Sequence, residues 1–134
     1  MKKSIRIAAL ICLLAAAMGL LCSCKVNPSE DQLFRKLLTH FRERGHSVSV
    51  QKLENGMRAV PIYNASVWYS MIVDGEEVLV YFDESNRADY LAEGIDPAPY
   101  SCVTRFGLRF VLVYEGENAD VLNTLHAIPG DEDL

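Results

Sequence analysis

The chain has 134 residues, half of them hydrophobic, and its 13 basic and 18 acidic side chains give a net charge of −5. A chain of this length can bury one modest core but not two. The acidic balance disfavours nucleic acid as a partner, because such binding depends on neutralising phosphates with Lys and Arg. Composition therefore predicts one small globular domain that does not bind nucleic acid.

The N-terminal segment has the three parts of a secretory signal. Lys2, Lys3 and Arg6 supply positive charge, and residues 7–21 form an apolar run. As a helix this run would be about 22 Å long. That length is short of the hydrocarbon core of a bilayer, which is about 30 Å thick. We therefore expect a cleaved signal and not a permanent transmembrane span.

The sequence Leu21-Cys22-Ser23-Cys24 follows the apolar run and resembles the lipobox of bacterial lipoproteins. In that family the final cysteine is lipidated and becomes the new N-terminus. Leu21 and Ser23 match the family pattern, whereas Cys22 stands where Ala, Ser or Thr is commoner. The resemblance implies cleavage between Ser23 and Cys24, a lipid on Cys24, and anchoring at the extracytoplasmic face of a bacterial membrane. An uncleaved signal anchor and ordinary secretion are the alternatives.

Removal of the signal, residues 1–23, makes the protein more acidic. The ten basic and 18 acidic residues that remain give a net charge of −8. Anionic lipid headgroups would repel such a domain, so we expect membrane contact through the lipid and the short tether 24–28 alone. The domain is predicted to cover residues 29–130, with an acidic tail at 131–134.

The first half of the domain is predicted to contain a helix, a strand and a hairpin. Ser29 and Gln32 form a capping-box pattern before apolar residues with helical spacing, and Gly45 is a typical helix stop. These features predict a helix at 30–44, and the alternation of residues 47–53 predicts a strand. Residues 67–82 form two β-branched and aromatic runs around Asp74-Gly75, a favoured two-residue hairpin turn.

The second half is predicted to contain a short helix, another hairpin and a last helix. The short helix is expected to begin at Asp83 or Ser85 and to end near residue 93. The second hairpin is expected from 100–105 and 108–114, and the last helix from Asn118 onward. The prediction is an α+β fold: an antiparallel sheet of about five strands with three helices packed on one face.

The side chains with catalytic or metal-binding capacity do not form a recognisable motif. His40, His46 and His126 lack zinc-site spacing, and each is predicted to be a surface or helix-end histidine. Cys102 is the one cysteine beyond Cys24, and its strand-like surroundings predict a small buried hydrophobe. A reactive thiol with a histidine base is the alternative. The sequence predicts no catalytic residue, no metal and no cofactor.

The candidate partner surface is an exposed hairpin edge or the segment of residues 54–64. Residues 54–64 are the longest irregular segment, and loops often carry function, although the segment's apolar residues favour packing on the core. Met57, Arg58 and Tyr63 of this segment are candidates. Tyr90, on the polar side of the short helix, is the aromatic residue most expected to be exposed, and it completes the set.

The order of elements resembles a group of small bacterial lipoproteins. The resemblance lies in residues 73–81, the short acidic helix, residues 109–114 and the final helix. It covers most of the domain and implies the architecture without an activity. We expect a monomeric, lipid-anchored, non-enzymatic binding or envelope accessory module that touches an envelope protein. The alternatives are a thiol-dependent enzyme or redox protein using Cys102, and a small-ligand or ion receptor.

Overall fold

The computed structural model describes residues 29–53 and 67–129. The lipobox, the tether, residues 54–64 and the acidic tail lie outside the described residues. A boundary between two compact units falls within the first helix, between Leu33 and Phe34, and the sheet belongs to the second unit. The described elements, in chain order, are α1 (Glu30–Arg42), β1 (Val48–Leu53), β2 (Trp68–Val73), β3 (Glu76–Phe82), α2 (Ala88–Glu93), β4 (Cys102–Phe106), β5 (Phe110–Tyr114) and α3 (Ala119–His126).

The described strands form one antiparallel sheet in the order β1-β2-β3-β5-β4. The β2–β3 hairpin turns at Asp74 and Gly75, whose φ values of 50° and 86° are both positive, as a type I′ turn requires. The β4–β5 hairpin turns near Gly107, where φ is 61°. The predicted α+β class, five-stranded antiparallel sheet, three helices and two hairpins are therefore confirmed.

The helices lie on both faces of the sheet. Trp68 and Tyr81, opposite one another in β2 and β3, belong to the same cluster as Ala88 of α2. The next residue of β2, Tyr69, points to the other face because side chains alternate along a strand. Its ring centroid lies 4.5 Å from that of Phe34 in α1. The prediction that all three helices share one face is therefore wrong, since α1 and α2 cover opposite faces.

The central strands explain why both faces need cover. All five residues of β5, Phe110–Tyr114, are buried, and so are the last five residues of β3. An apolar run without polar alternation is typical of a strand covered on both sides. The two-sided arrangement was therefore readable in the sequence of these strands.

The end of α1 sets the direction of the following segment. The Gly45 N–H donates to the Arg42 carbonyl at 3.0 Å, and the His46 N–H donates to the Phe41 carbonyl at 3.2 Å. With Gly45 at φ 87°, these bonds form a Schellman motif. The motif ends the helix two residues earlier than predicted. It also fixes the position of His46, the residue directly after Gly45.

The helix α2 begins later than the sequence predicts. The Asp83 carboxylate accepts a hydrogen bond from the Arg87 N–H at 2.8 Å, and Asn86 has a left-handed φ of 57°. A residue in that region cannot continue a right-handed helix. Asp83 therefore caps the turn that precedes α2, and the helix starts at Ala88.

Candidate functional site

A polar cavity lies where the end of α1, the β2–β3 turn and α3 come together. Its volume is about 450 Å³. The described residues that line it are Arg44, Gly45, His46, Asp74, Asp120, Asn123 and Thr124. Three separate stretches of sequence thus contribute polar side chains to one concave surface.

His46 is buried at the base of this cavity. Its Nδ1 lies 2.6 Å from Oδ2 of Asp74, and its Nε2 lies 2.6 Å from Oγ1 of Thr124. Because a carboxylate only accepts, Nδ1–H is the donor to Asp74. Both ring nitrogens are therefore engaged, and the imidazole connects the hairpin turn to α3.

Asp74 is held in place by the backbone next to His46. The Ser47 N–H donates to Asp74 Oδ1 at 2.7 Å, and the Asp74 N–H donates to the Ser47 carbonyl at 2.9 Å. The hydrogen bond from His46, and after it the bond from the Ser47 N–H, holds the pKa of the Asp74 carboxyl below its ordinary value. The site therefore contains a fixed carboxylate.

His40 forms a second buried connection to α3. Its Nε2–H donates to the Thr124 carbonyl at 3.0 Å, while Nη1 of Arg44 donates to Nδ1 at 3.0 Å and to the His40 carbonyl at 2.9 Å. An imidazole that accepts at Nδ1 must be neutral. In agreement with this, burial in the first place, together with the charge of Arg44, lowers the pKa of His40.

Three groups on the wall of the cavity keep unused hydrogen-bonding capacity. Arg44 uses Nη1 alone, and in the part of the chain that the structure describes it has no carboxylate partner. Within the same residues, the Asp120 carboxylate and the Asn123 side-chain amide make no hydrogen bond. His46, Asp74 and Thr124, which are hydrogen-bonded to one another, form the floor of the cavity. Beside this floor, one cation, one anion and one amide of the described residues are free to bind a ligand.

His40 lies in the last turn of α1 and His46 just past its end, so both are helix-end histidines as predicted, but neither lies at the surface. Their exposed fractions are 7% and 9%. Helical periodicity identified the apolar face of α1, but it carried no information that α3 packs beside this helix and supplies Thr124. His126 is exposed, as predicted. The Asp74-Gly75 pair identified the turn. It did not indicate that the Asp74 carboxylate contacts His46, which lies 28 residues earlier in the chain.

The remaining predicted residues have separate outcomes. Cys102 is buried, as predicted, and burial raises the pKa of its thiol, which disfavours the thiolate that nucleophilic chemistry needs. Tyr90 is 73% exposed, which confirms that it is available at the surface. The other candidates, Met57, Arg58 and Tyr63, lie outside the described residues.

The described residues contain neither a group of metal-binding side chains nor a membrane-spanning helix. Across 29–53 and 67–129, no three His, Cys, Asp or Glu side chains are grouped so that they could hold a metal ion. The helices within the same ranges are too short or too polar to cross a bilayer.

The fold and the site define an α+β domain with a polar cavity over a closed hydrogen-bond network. Comparison with protein-family models, with curated proteins and with solved structures gives no match. The functional assignment therefore depends on the residues of this chain.

Proposed function

We propose that this protein is a lipid-anchored bacterial lipoprotein of the extracytoplasmic face whose domain is a non-enzymatic binding or envelope accessory module. The observation that carries the proposal is the Leu21-Cys22-Ser23-Cys24 sequence, placed directly after a basic start and a 15-residue apolar run. The basic start and the apolar run have the lengths of a secretory signal, and Cys24 stands at the position that is lipidated in the lipobox pattern that this sequence resembles.

The anchor explains how a strongly acidic domain remains at a membrane. A single acyl chain binds a bilayer only marginally, and stable anchoring needs two or more. The diacylglycerol carried by bacterial lipoproteins meets that requirement at Cys24. The tether 24–28 would then keep the domain close to the surface, while its net charge of −8 prevents it from lying on anionic lipid.

The chemistry of the domain supports binding better than catalysis. Asp74, His46 and Thr124 are connected in the order of a hydrolase triad, and that order is recognised by geometry. However, Thr124 is 4% exposed and lies within α3, whereas a nucleophile has to be reached by its substrate. We interpret the three residues as the structural floor of the cavity, with the free groups above it available for recognition.

The proposal is tested by expressing the full chain in a bacterium beside two variants. Cys24→Ala removes the proposed lipid acceptor, and Cys22→Ala is the matched control two residues away. The wild type and Cys22→Ala should fractionate with membranes and be cleaved by protease added outside the cytoplasmic membrane. Cys24→Ala should lose the lipid-dependent membrane fraction. Equal membrane retention of both variants, with the signal uncleaved, would overturn the anchor.

A further inference from the structure

Arg44 is positioned before any ligand arrives. Its Nη1 donates to two acceptors of the same residue, Nδ1 and the carbonyl of His40, at 3.0 and 2.9 Å. The other N–H groups of the guanidinium stay free within the described residues, although the domain is rich in carboxylates. A fixed guanidinium is a good carboxylate receptor, because the fork of donors matches the two oxygens and little conformational entropy is lost on binding.

Helix α3 presents complementary groups to the same cavity. Asp120 and Asn123 are three residues apart, so they lie on one face of the helix, and both line the cavity. Neither side chain is hydrogen-bonded to another described residue. A free carboxylate accepts hydrogen bonds from an ammonium group, and an amide beside it can donate or accept.

The floor of the cavity does not use up these groups. His46, Asp74 and Thr124 satisfy one another, and the two Asp74 oxygens already accept from His46 and from the Ser47 N–H. Of the two carboxylates that line the cavity, Asp74 and Asp120, only Asp120 accepts no hydrogen bond from another described residue. The hydrogen-bonded floor and the Arg44 guanidinium, which its bonds to His40 hold in place, are therefore the preorganised part of the site.

The two unused charges have opposite signs, which restricts the class of ligand. A simple anion would be attracted by Arg44 but repelled by Asp120. A simple cation would be attracted by Asp120 but repelled by Arg44. The cavity volume, about 450 Å³, is within the range of small-molecule sites, about 300–1,000 Å³. We propose that this cavity binds a small zwitterion, a molecule with one carboxylate and one ammonium group, such as a free amino acid or a short peptide. The carboxylate pairs with Arg44 and the ammonium with Asp120.

This inference rests on the binding role proposed above and is independent of the anchor. It is tested by isothermal titration calorimetry on the full lipidated chain in detergent. The probes are glycine and glycylglycine, with propionate and propylamine as single-charge controls. At least one zwitterion should bind at least about tenfold more tightly than either control. The preference between glycine and glycylglycine then distinguishes a free amino acid from a peptide.

Charge-removing variants test the two proposed contacts. Asp120→Asn is decisive, because this carboxylate makes no internal hydrogen bond and its loss should leave the fold intact. Arg44→Gln tests the other contact, with thermal unfolding measured in parallel because Arg44 also holds His40. Both should weaken zwitterion binding by about tenfold or more. Glu117→Gln and Arg42→Gln, which make the same charge changes outside the cavity lining, should bind as the wild type does.

Three results would overturn the inference: no binding of either zwitterion to the folded protein, equal binding of propionate or propylamine, or unchanged binding in Asp120→Asn. The proposed function fails by a different measurement, the loss of lipid and membrane association. If zwitterions do not bind but the anchored chain cross-links to an envelope protein, the binding role stands and this ligand assignment falls.

Discussion

The Nδ1 atom of His46 lies 2.6 Å from Oδ2 of Asp74, a contact across 28 residues of sequence. Two residues with left-handed backbone angles make this contact possible. Gly45, at φ 87°, directs the chain out of α1, and Asp74, at φ 50°, occupies the first position of the hairpin turn. The contact joins the helix to the sheet and gives the cavity a fixed floor.

The hydrogen bond between Thr124 and His46 should contribute measurably to stability. Thr124→Val keeps the side-chain shape but leaves Nε2 of the buried His46 without a partner. The free energy of unfolding should fall by about 1–3 kcal/mol, the cost of an unsatisfied buried polar group. Urea denaturation measures this change.

Thr104→Val is the control for that experiment. Thr104 is half-buried in β4, and no described hydrogen bond depends on its hydroxyl. The control should stay within about 0.5 kcal/mol of the wild type. If Thr124→Val is as stable as this control, the contact with His46 does not support the fold.

Stability should decrease on mild acidification because of His40. Burial lowers the pKa of His40 from its ordinary 6.5, so the unfolded chain takes up a proton that the folded protein does not. Stability from this group is therefore complete above about pH 7 and is lost as the pH falls from about 6.5 toward the folded pKa. Urea midpoints between pH 5 and 8 follow this loss.

The His40→Gln variant isolates that contribution. Its stability should depend less on pH across the same window, whereas Thr104→Val, which changes no titratable group, should keep the wild-type slope. The lowered pKa of Asp74 acts in a separate window, with its stabilisation lost below about pH 4. An unchanged slope in His40→Gln would show that burial of this imidazole does not control the response.

Phe110 is predicted to be an energetic centre of the core. It is 1% exposed. The centroid of its ring lies 4.7 Å from that of Phe34 in α1 and 5.2 Å from that of Phe82 in β3. Phe110→Ala should cost about 3–5 kcal/mol by leaving a cavity between helix and sheet. Tyr90→Ala, at a residue 73% exposed, should change stability by less than about 0.5 kcal/mol. Similar effects of the two changes in denaturant titrations would contradict this account of the core.

Cys102 should be chemically silent in the folded protein. Its thiol is buried and burial raises its pKa, which lowers both access and the fraction of thiolate. Iodoacetamide at pH 8 should leave Cys102 unmodified in native protein and modify it fully in denaturant, as read by peptide mass spectrometry. Rapid modification of native protein would instead favour the thiol-dependent alternative.

The sequence predicted the elements of this fold better than it predicted the site. Asp74-Gly75 identified the hairpin turn and Asn118 the start of α3, because turns and caps depend on neighbouring residues. Asn118 indeed accepts from the N–H groups of Asp120 and Val121. The site requires tertiary information: nothing near His46 indicates that Thr124, 78 residues later, will meet its Nε2. The cover on both faces of the sheet is a different case, because the continuous apolar runs of β3 and β5 already indicate it in the sequence.

The most direct test of the lipoprotein assignment is the intact mass of the mature protein, measured beside palmitate labelling of the wild type and Cys24→Ala. The assignment predicts a chain that starts at Cys24, has the added mass of a diacylglyceryl group and takes up label, while Cys24→Ala takes up none. A chain that retains residues 1–23, or that starts at Cys24 without added lipid, would contradict it.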